Sequence, residues 1–395
     1  MSGTSALSLA ASDVAGMNVA ALEQLRLGFE GLVARGRMPG AVMMVMRHGG
    51  VACFEAVGRL SPDGAAPMQR DSIFRIYSMT KPIISVAVMR LFERGLIRLS
   101  DPVAKYLPEF AATRVGVERD GELDIAAPGR PMTIHDLLRH TSGLTYEFLP
   151  KSLVRQAYLD ANIASRKRSN AEISSTLAGL PLMHSPGTVW DYSRGTDVLG
   201  RIIEVVSDQS LGEHLQEVVF GPLGMSDTGF CVPAAKHHRI AEPFATDPDT
   251  GSAVRLLDAR QPAPLESGGG GLMSTAPDYA RFLQMLLQGG TLDDTRVLGR
   301  KTIELMTADH LGAIPSACAI LPAGYGFGLG FAVRLLPGVA SDPGSVGTYG
   351  WSGVAGTMFF VDPHEDMFGL MMVQAPWQAD ELREFFRNMV FAAID

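Results

Sequence analysis

The sequence predicts an α/β protein in which helices flank one antiparallel sheet and a mostly helical second lobe is inserted into it. Strand patterns lie at both ends of the chain, and helical patterns fill the middle. The strand patterns cover residues 41–47, 51–58, 326–334, 357–361 and 367–374. Because strands that follow each other in a sequence usually pair in space, we expect the two terminal sets to share one sheet.

The N-terminal strand patterns indicate a hairpin. An amphipathic helix predicted at 19–35 precedes them, and His48, Gly49 and Gly50 separate them. Two β-prone runs joined by so short a glycine-containing turn are typical of a hairpin. A last helix is predicted at 379–393, after the C-terminal strands.

Helical patterns dominate the chain between the two sets of strands. They cover residues 80–95, 133–140, 152–164, 171–177, 193–207 and 211–219. We therefore predict a discontinuous sheet domain at 1–115 and 265–395 and a mostly helical lobe at 116–264. The cleft between two such lobes is the expected position of an active site.

The composition is typical of a globular protein and argues against a nucleic-acid partner. Of the 395 residues 46% are hydrophobic, and the formal net charge is −8. The short basic run Arg166-Lys167-Arg168 is interpreted as a solvated helix face. No stretch reaches the about 18 uninterrupted apolar residues of a membrane helix, and residues 1–20 lack a signal-peptide pattern. We expect a cytoplasmic protein, and the oligomeric state is left open.

Cysteine and histidine positions predict neither a disulfide framework nor a metal site. Cys53, Cys231 and Cys318 are odd in number and far apart in the sequence. The pair His237-His238 lacks the spacing of metal ligands. No cofactor is therefore predicted.

Ser78 and Lys81 are the first candidates for chemistry. They lie three residues apart where a helix begins, so both side chains share one face of it. A lysine beside a helix-start serine can accept the hydroxyl proton, and Pro82 in the first turn costs no hydrogen bond. The plain alternative is a capping serine next to an exposed lysine. No G-x-S-x-G motif occurs, which argues against an α/β-hydrolase triad.

The residues around Ser78 favour the catalytic interpretation. The stretch 74–82, FRIYSMTKP, resembles the S-x-x-K motif of class C β-lactamases, DD-peptidases and the related family VIII carboxylesterases. Further matches follow in family order: LSDPV at 99–103, YLP at 106–108, TIHDLLRHTSGL at 133–144, PGTVWDYS at 186–193, GPLGM at 221–225 and GGLMST at 270–275. The resemblance runs over roughly residues 20–390.

This resemblance implies a β-lactamase/transpeptidase-like fold and a cofactor-free serine carboxylesterase that acts on short-chain esters. Ser78 would be the nucleophile that carries the acyl-enzyme. Tyr192 stands at the family's Y-x-N or Y-S-x motif, where it would share proton transfer with Lys81. His140 falls in a segment that the family places beneath the site, so a structural role is expected for it.

The third family motif departs from the β-lactamase form. Instead of K-T-G or H-x-G the chain has Trp351-Ser352-Gly353, similar to the W-S-G form of the esterases. By this alignment the backbone N–H groups of Ser78 and Val354 would form the oxyanion hole.

Five residues are predicted to contact the substrate: Tyr146, Arg194, Trp351, Ser352 and Gly353. Arg194 stands where β-lactamases usually have an asparagine, and Trp351 where they have a cation for the antibiotic's carboxylate. Both departures favour esters, and only weak β-lactam hydrolysis is compatible with them. The glycine run 267–271 lacks the lysine of a phosphate loop and suits close backbone packing or a hinge.

Several other functions stay open at this point. A β-lactamase, a D-amino-acid amidase or DD-peptidase, and an acyltransferase would all use the same machinery. A non-catalytic ligand-binding relative would keep the fold without the chemistry, but the intact Ser78, Lys81 and Tyr192 argue against it.

Overall fold

The computed structural model describes residues 15–395, and its elements follow the predicted order of strands, helices and strands. The strands are β1 (Gly40–Arg47), β2 (Gly50–Gly58), β3 (Phe74–Arg75), β4 (Val115–Arg119), β5 (Glu122–Ala126), β6 (Met273–Ser274), β7 (Thr291–Leu292), β8 (Thr295–Arg296), β9 (Tyr325–Phe327), β10 (Ala332–Arg334), β11 (Tyr349–Ser352), β12 (Met358–Asp362) and β13 (Met367–Val373). The helices are α1 (Val19–Ala34), α2 (Thr80–Glu93), α3 (Ile134–Leu138), α4 (Leu153–Asp160), α5 (Asn170–Gly179), α6 (Gly195–Ser207), α7 (Leu211–Leu215), α8 (Gly221–Leu223), α9 (Ala276–Leu287), α10 (Arg300–Met306) and α11 (Ala379–Phe391).

One seven-stranded sheet joins the two ends of the chain. Its order is β2-β1-β13-β12-β11-β10-β9, and each neighbouring pair is antiparallel. The β1–β2 hairpin is inserted beside the C-terminal strands, with Ala41 opposite Val373 and Arg47 opposite Met367. The predicted fold class, an antiparallel sheet with helices, is therefore confirmed.

Both faces of this sheet are buried. Successive side chains of a strand point to opposite faces. On β1, Met43 and Val45 pack with Phe29 of α1 and Phe386 of α11, whereas Met44 belongs to the larger core on the other face. Helix α2 contributes to that larger core and also packs against α6. The start of α2 therefore lies between the sheet and the helical region.

The predicted single strand at 326–334 is wrong. It forms two strands, β9 and β10, which reverse direction at 328–331. Gly330 has a φ of +100°, which residues with a side chain rarely adopt, and it packs against Ser85 of α2. The alternation of apolar residues continues through the turn, so the sequence pattern did not reveal the break.

Other elements were missed or shifted. The sequence did not predict the β4–β5 hairpin within the helical region, nor β11, α9 and α10. The helix predicted at 211–219 is an α-helix only as far as Leu215 and continues as a π-helix through Gln216–Phe220.

The division into two domains stays a prediction. The part of the N-terminal segment before residue 15, in which no signal peptide is predicted, lies outside the described residues. No helix within 15–395 combines the length and the apolar character that crossing a membrane requires.

Candidate active site

Ser78 lies in a tight turn that leads into α2. It is the middle residue of the 3-10 turn Tyr77–Met79 and is half-buried. Tyr77 just before it has a φ of +44°, a conformation that is strained for a residue other than glycine. The Tyr77 hydroxyl accepts a hydrogen bond of 2.9 Å from the backbone N–H of Leu257, which holds the turn in place. The Ser78 hydroxyl is thereby presented at the start of a buried helix.

Lys81 is the centre of a buried hydrogen-bond cluster. Its side chain is 1% exposed, and Nζ donates to Ser78 Oγ at 3.1 Å, Tyr146 Oη at 3.0 Å and the carbonyl oxygen of Gly269 at 2.6 Å. Burial lowers the pKa of Lys81 to about 7, because water no longer stabilises the charged form. Asp197 acts in the opposite direction, and Arg194 adds to the lowering. A neutral amine is therefore accessible near pH 7.

Tyr192 approaches Ser78 from a second direction. Its hydroxyl lies near Ser78 and accepts from Trp351 Nε1 at 3.2 Å. Lys81 Nζ lies 4.6 Å from the centre of the Tyr192 ring. Burial raises the pKa of Tyr192 well above its ordinary value, although the interactions of the hydroxyl with Ser78 and Trp351 oppose that shift. The structure therefore brings together the three residues predicted for catalysis, with Lys81 facing the ring of Tyr192.

Tyr146 lies deeper than its predicted position on the cleft wall. Its hydroxyl accepts from Lys81, and its ring packs on Tyr192 at a centroid distance of 5.1 Å. On its other side the ring stacks with the exposed Phe148. A buried ammonium group needs acceptors, and the Tyr146 hydroxyl supplies one. The Tyr146 hydroxyl is therefore a partner of Lys81, and the predicted substrate contact of Tyr146 stays a prediction.

The guanidinium group of Arg194 is buried and pairs with two carboxylates. It is 7% exposed, with Nη2 2.5 Å from Glu147 Oε1 and Nη1 3.3 Å from Asp197 Oδ2. Its guanidinium also lies 5.1 Å from the centre of the Tyr146 ring. These carboxylates balance its charge inside the protein, and the predicted contact of Arg194 with the substrate stays a prediction.

The glycine run connects this carboxylate cluster to Lys81. Asp197 Oδ1 accepts from Ser267 Oγ at 2.6 Å and from the N–H of Gly269 at 2.9 Å. The carbonyl oxygen of the same Gly269 accepts from Lys81. Asp197 and Gly269 are functional candidates that the sequence analysis missed. The two residues are 72 positions apart in the sequence, and no local pattern predicts their contact.

The turn after β11 lies next to the Ser78 turn. A Cβ atom at Gly353 would be 2.5 Å from the carbonyl oxygen of Ile76, so only glycine permits this approach. Val354 follows at the tip of the turn, with 61% of its surface exposed. Within residues 15–395 its backbone N–H donates to no protein acceptor. The second residue of a 3-10 turn, here Ser78, likewise lacks an acceptor inside that turn.

A cavity of about 600 Å³ opens beside β11. Strand β10 pairs with only the first half of β11, at Tyr349 and Gly350, and leaves the edge at Trp351 and Ser352 uncovered. Both of these residues line the cavity, together with Ile320. Trp351 connects the cavity with the cluster around Ser78, because its indole N–H donates to Tyr192. The size is that of a typical small-molecule site.

His140 lies under this cluster. It is fully buried, its Nδ1 is 3.1 Å from Ser193 Oγ, and its ring packs on Tyr192 at 4.9 Å. Burial lowers its pKa well below the usual value. A neutral, packed imidazole agrees with the structural role that we expect for it.

Comparisons with known proteins place the chain in a family. A family model described as Beta-lactamase matches residues 26–388. Protein Rv1367c of Mycobacterium tuberculosis is 37% identical over 349 residues, which cover 86% of each chain. Esterase EstB of Burkholderia gladioli is 33% identical over 388 residues, which cover 92% of this chain and 93% of EstB.

Solved structures agree with this assignment. EstCE1, described as a hydrolase with promiscuous acyltransferase activity, superimposes with a TM-score of 0.79 at 26% identity. The match covers 94% of this chain and 99% of EstCE1. The resemblance to family VIII carboxylesterases that the motifs indicated is confirmed, and the chain belongs to the Beta-lactamase family as one of its serine hydrolases.

Proposed function

We propose that this serine hydrolase is a carboxylesterase that cleaves short-chain acyl esters through an acyl-enzyme on Ser78. The observation that carries the proposal is the 3.1 Å contact between Ser78 Oγ and Lys81 Nζ, whose pKa burial lowers to about 7. A lysine of ordinary pKa would be almost fully protonated at neutral pH and could not accept a proton. The similarity to Esterase EstB supports ester substrates.

In the proposed mechanism the neutral amine of Lys81 accepts the Ser78 proton as Oγ attacks the ester carbonyl. The proton then passes from Lys81 to Tyr192 as Tyr192 gives its own phenol proton to the leaving alkoxide. Ser78 keeps the acyl group as an ester, and Lys81 is again neutral. For deacylation, Tyr192 takes a proton from the attacking water as it passes its own proton to Lys81. The bond between the acyl carbon and Ser78 Oγ then breaks, Lys81 returns the proton to Ser78, and the carboxylic acid leaves.

The backbone N–H groups of Ser78 and Val354 form the proposed oxyanion hole. The support is the close approach of the Gly353 turn to Ile76 and the absence, within 15–395, of a protein acceptor for the Val354 N–H. Two donors aimed at the developing negative charge stabilise the transition state more than the ground state.

The pH dependence of kcat/KM should follow the charge of Lys81. We expect activity to rise with pH through about 7 and then to level off, because only the deprotonated amine can accept the Ser78 proton. In Asp197→Asn this acidic limb should move to lower pH, since the carboxylate favours the ammonium form. Measuring kcat/KM from pH 5 to 9 for both proteins tests this. An acidic limb at the same pH in both would contradict the assignment.

The active site should prefer esters over β-lactams. Trp351 presents apolar surface where β-lactamases have a cation, and the charge of Arg194 is already balanced by Glu147 and Asp197. A lost charge-assisted hydrogen bond costs about 1.5–3 kcal/mol, a tenfold to hundredfold loss of affinity.

We therefore expect efficient hydrolysis of para-nitrophenyl esters of about two to six acyl carbons, because the indole of Trp351 narrows the site with apolar surface. For a chromogenic cephalosporin kcat/KM should be lower by about 10²-fold or more, which corresponds to about 2.7 kcal/mol in activation free energy. Both substrates are assayed on one enzyme preparation. Comparable kcat/KM values for the cephalosporin and the best ester would identify the enzyme as a β-lactamase instead.

Transfer of the acyl group to an alcohol is the second candidate activity. It uses the same acyl-enzyme, and EstCE1 is described as having promiscuous acyltransferase activity. Product analysis with para-nitrophenyl butyrate and increasing concentrations of a primary alcohol decides between the two. A new ester that forms at millimolar alcohol supports transfer, whereas butyrate alone supports hydrolysis.

A further inference from the structure

Arg383 on α11 reaches the turn that carries the proposed oxyanion donor. Its Nη2 donates to the carbonyl oxygen of Gly353, and its Nη1 lies 2.9 Å from Asp380 Oδ1. The Gly353 carbonyl also accepts from the N–H of Gly356. Two donors, one of them charged, therefore hold a single carbonyl oxygen.

That carbonyl belongs to the same peptide group as the N–H of Val354. A peptide group is planar, and its C=O and N–H point in opposite directions. When the carbonyl oxygen is fixed, the direction of the Val354 N–H is fixed as well. A hydrogen bond to the oxygen also polarises the group, so its N–H becomes a stronger donor, and a low dielectric enhances this effect.

We propose that Arg383 is a positioning residue for the oxyanion: it orients and polarises the Gly353–Val354 peptide so that the Val354 N–H binds the acyl oxygen in the transition state. This inference depends on the proposed function. Arg383 also lines the cavity beside β11, but its proposed effect on the oxyanion acts through the Gly353–Val354 peptide.

Arg387, one helical turn further along α11, provides a matched comparison. It is buried, donates to the carbonyl oxygen of Pro343 at 2.8 Å and lies over the rings of Phe360 and Phe391. Like Arg383 it lines the cavity beside β11, but its polar contacts go to Pro343 and Asp342, and none of them reaches the Gly353 turn. Replacing it should lower stability without changing the oxyanion hole.

The test compares Arg383→Met, Arg383→Lys and Arg387→Met. The first readout is kcat and KM on para-nitrophenyl butyrate. The second is the proton chemical shift of the Val354 amide in the adduct of a fluorophosphonate with Ser78, whose phosphoryl oxygen stands in for the oxyanion. Removing an oxyanion donor outright costs about 10²–10³-fold in kcat, so weakening one should cost about tenfold with KM nearly unchanged.

We expect Arg383→Met to lower kcat and to move the Val354 amide proton upfield, Arg383→Lys to recover part of both, and Arg387→Met to change neither. An unchanged amide shift in Arg383→Met, or equal effects of Arg383→Met and Arg387→Met, would overturn the inference. A rise in KM alone would assign Arg383 to substrate binding and also overturn it. If wild-type Ser78 forms no adduct, the proposed function itself fails, and that outcome is distinct from the others.

Discussion

Ser78→Ala should lower kcat for para-nitrophenyl butyrate by about 10⁴-fold or more, because no other group can carry the acyl intermediate. The Ser78 hydroxyl lies within 3.1 Å of Lys81 Nζ and at the beginning of α2, and the rest of the cluster leaves it half-buried and accessible. Alanine preserves the turn, so the protein should fold normally. Steady-state kinetics together with a thermal melt measure both effects.

Ser85 provides a control on the same helix. It is fully buried, lies one helical turn beyond Lys81 against Gly330 in the β9–β10 turn, and is not among the hydrogen-bond partners of Lys81 Nζ. Ser85→Ala should keep activity within a few-fold of wild type. Ser78→Ala is purified with two different affinity tags, which excludes contaminating wild-type esterase. Substantial ester turnover by both preparations would show that Ser78 is not the nucleophile.

Tyr192→Phe should reduce kcat by about 10²–10⁴-fold, the usual contribution of a general acid or base. The phenol hydroxyl is the only part removed, and it is the atom that meets both Ser78 and Trp351. Lys81→Ala should be at least as damaging. Groups that act as one unit are not additive, so the double variant should be little worse than the worse single variant.

Tyr146→Phe is the matched control for this cycle. It removes the other phenol of the cluster, whose hydroxyl contacts Lys81. Lys81 would still contact Ser78 and Gly269, and we expect a loss of about tenfold, the order of one hydrogen bond. Multiplicative losses in the Lys81→Ala, Tyr192→Phe double variant would show that the two residues do not share one proton relay.

The sequence predicted the parts of the site that are close together in the chain. Ser78 and Lys81 share one helix face, and that proximity follows from helix geometry alone. Tyr192 could be assigned only through the resemblance, because nothing local connects it with Ser78, 114 positions away along the chain. The sheet was predictable since strand patterns at both ends of the chain had no other partners.

The sequence alone could not predict the polar contacts between residues that are far apart in the chain. Arg194 was interpreted as a substrate contact from its place after Tyr192 and Ser193, and nothing local in the sequence indicates its ion pair with Glu147, 47 positions away. Asp197 bonds to Gly269 across 72 positions, and Arg383 reaches Gly353 across 30. Each of these contacts depends on how whole elements pack, which local propensity and periodicity do not encode.

The hydroxyl of Tyr146 illustrates the same limit. Its position in the sequence suggested the wall of a cleft, and the ring does stack with the exposed Phe148. The Tyr146 hydroxyl also contacts Lys81, because the buried ammonium group of Lys81 needs hydrogen-bond acceptors. Helix α2 is buried on every face, so burial of Lys81 follows from its helix, but the acceptors that Lys81 meets depend on the packing of Tyr146 and Gly269.

Mass spectrometry after reaction with a fluorophosphonate tests whether Ser78 forms the acyl-enzyme. We expect one adduct per chain, located by peptide mapping on Ser78, with loss of esterase activity in proportion to labelling. Lys81→Ala should label far more slowly, because its serine has lost the nearby proton acceptor. An adduct on any other residue, or full activity with Ser78 labelled, would show that Ser78 is not the nucleophile.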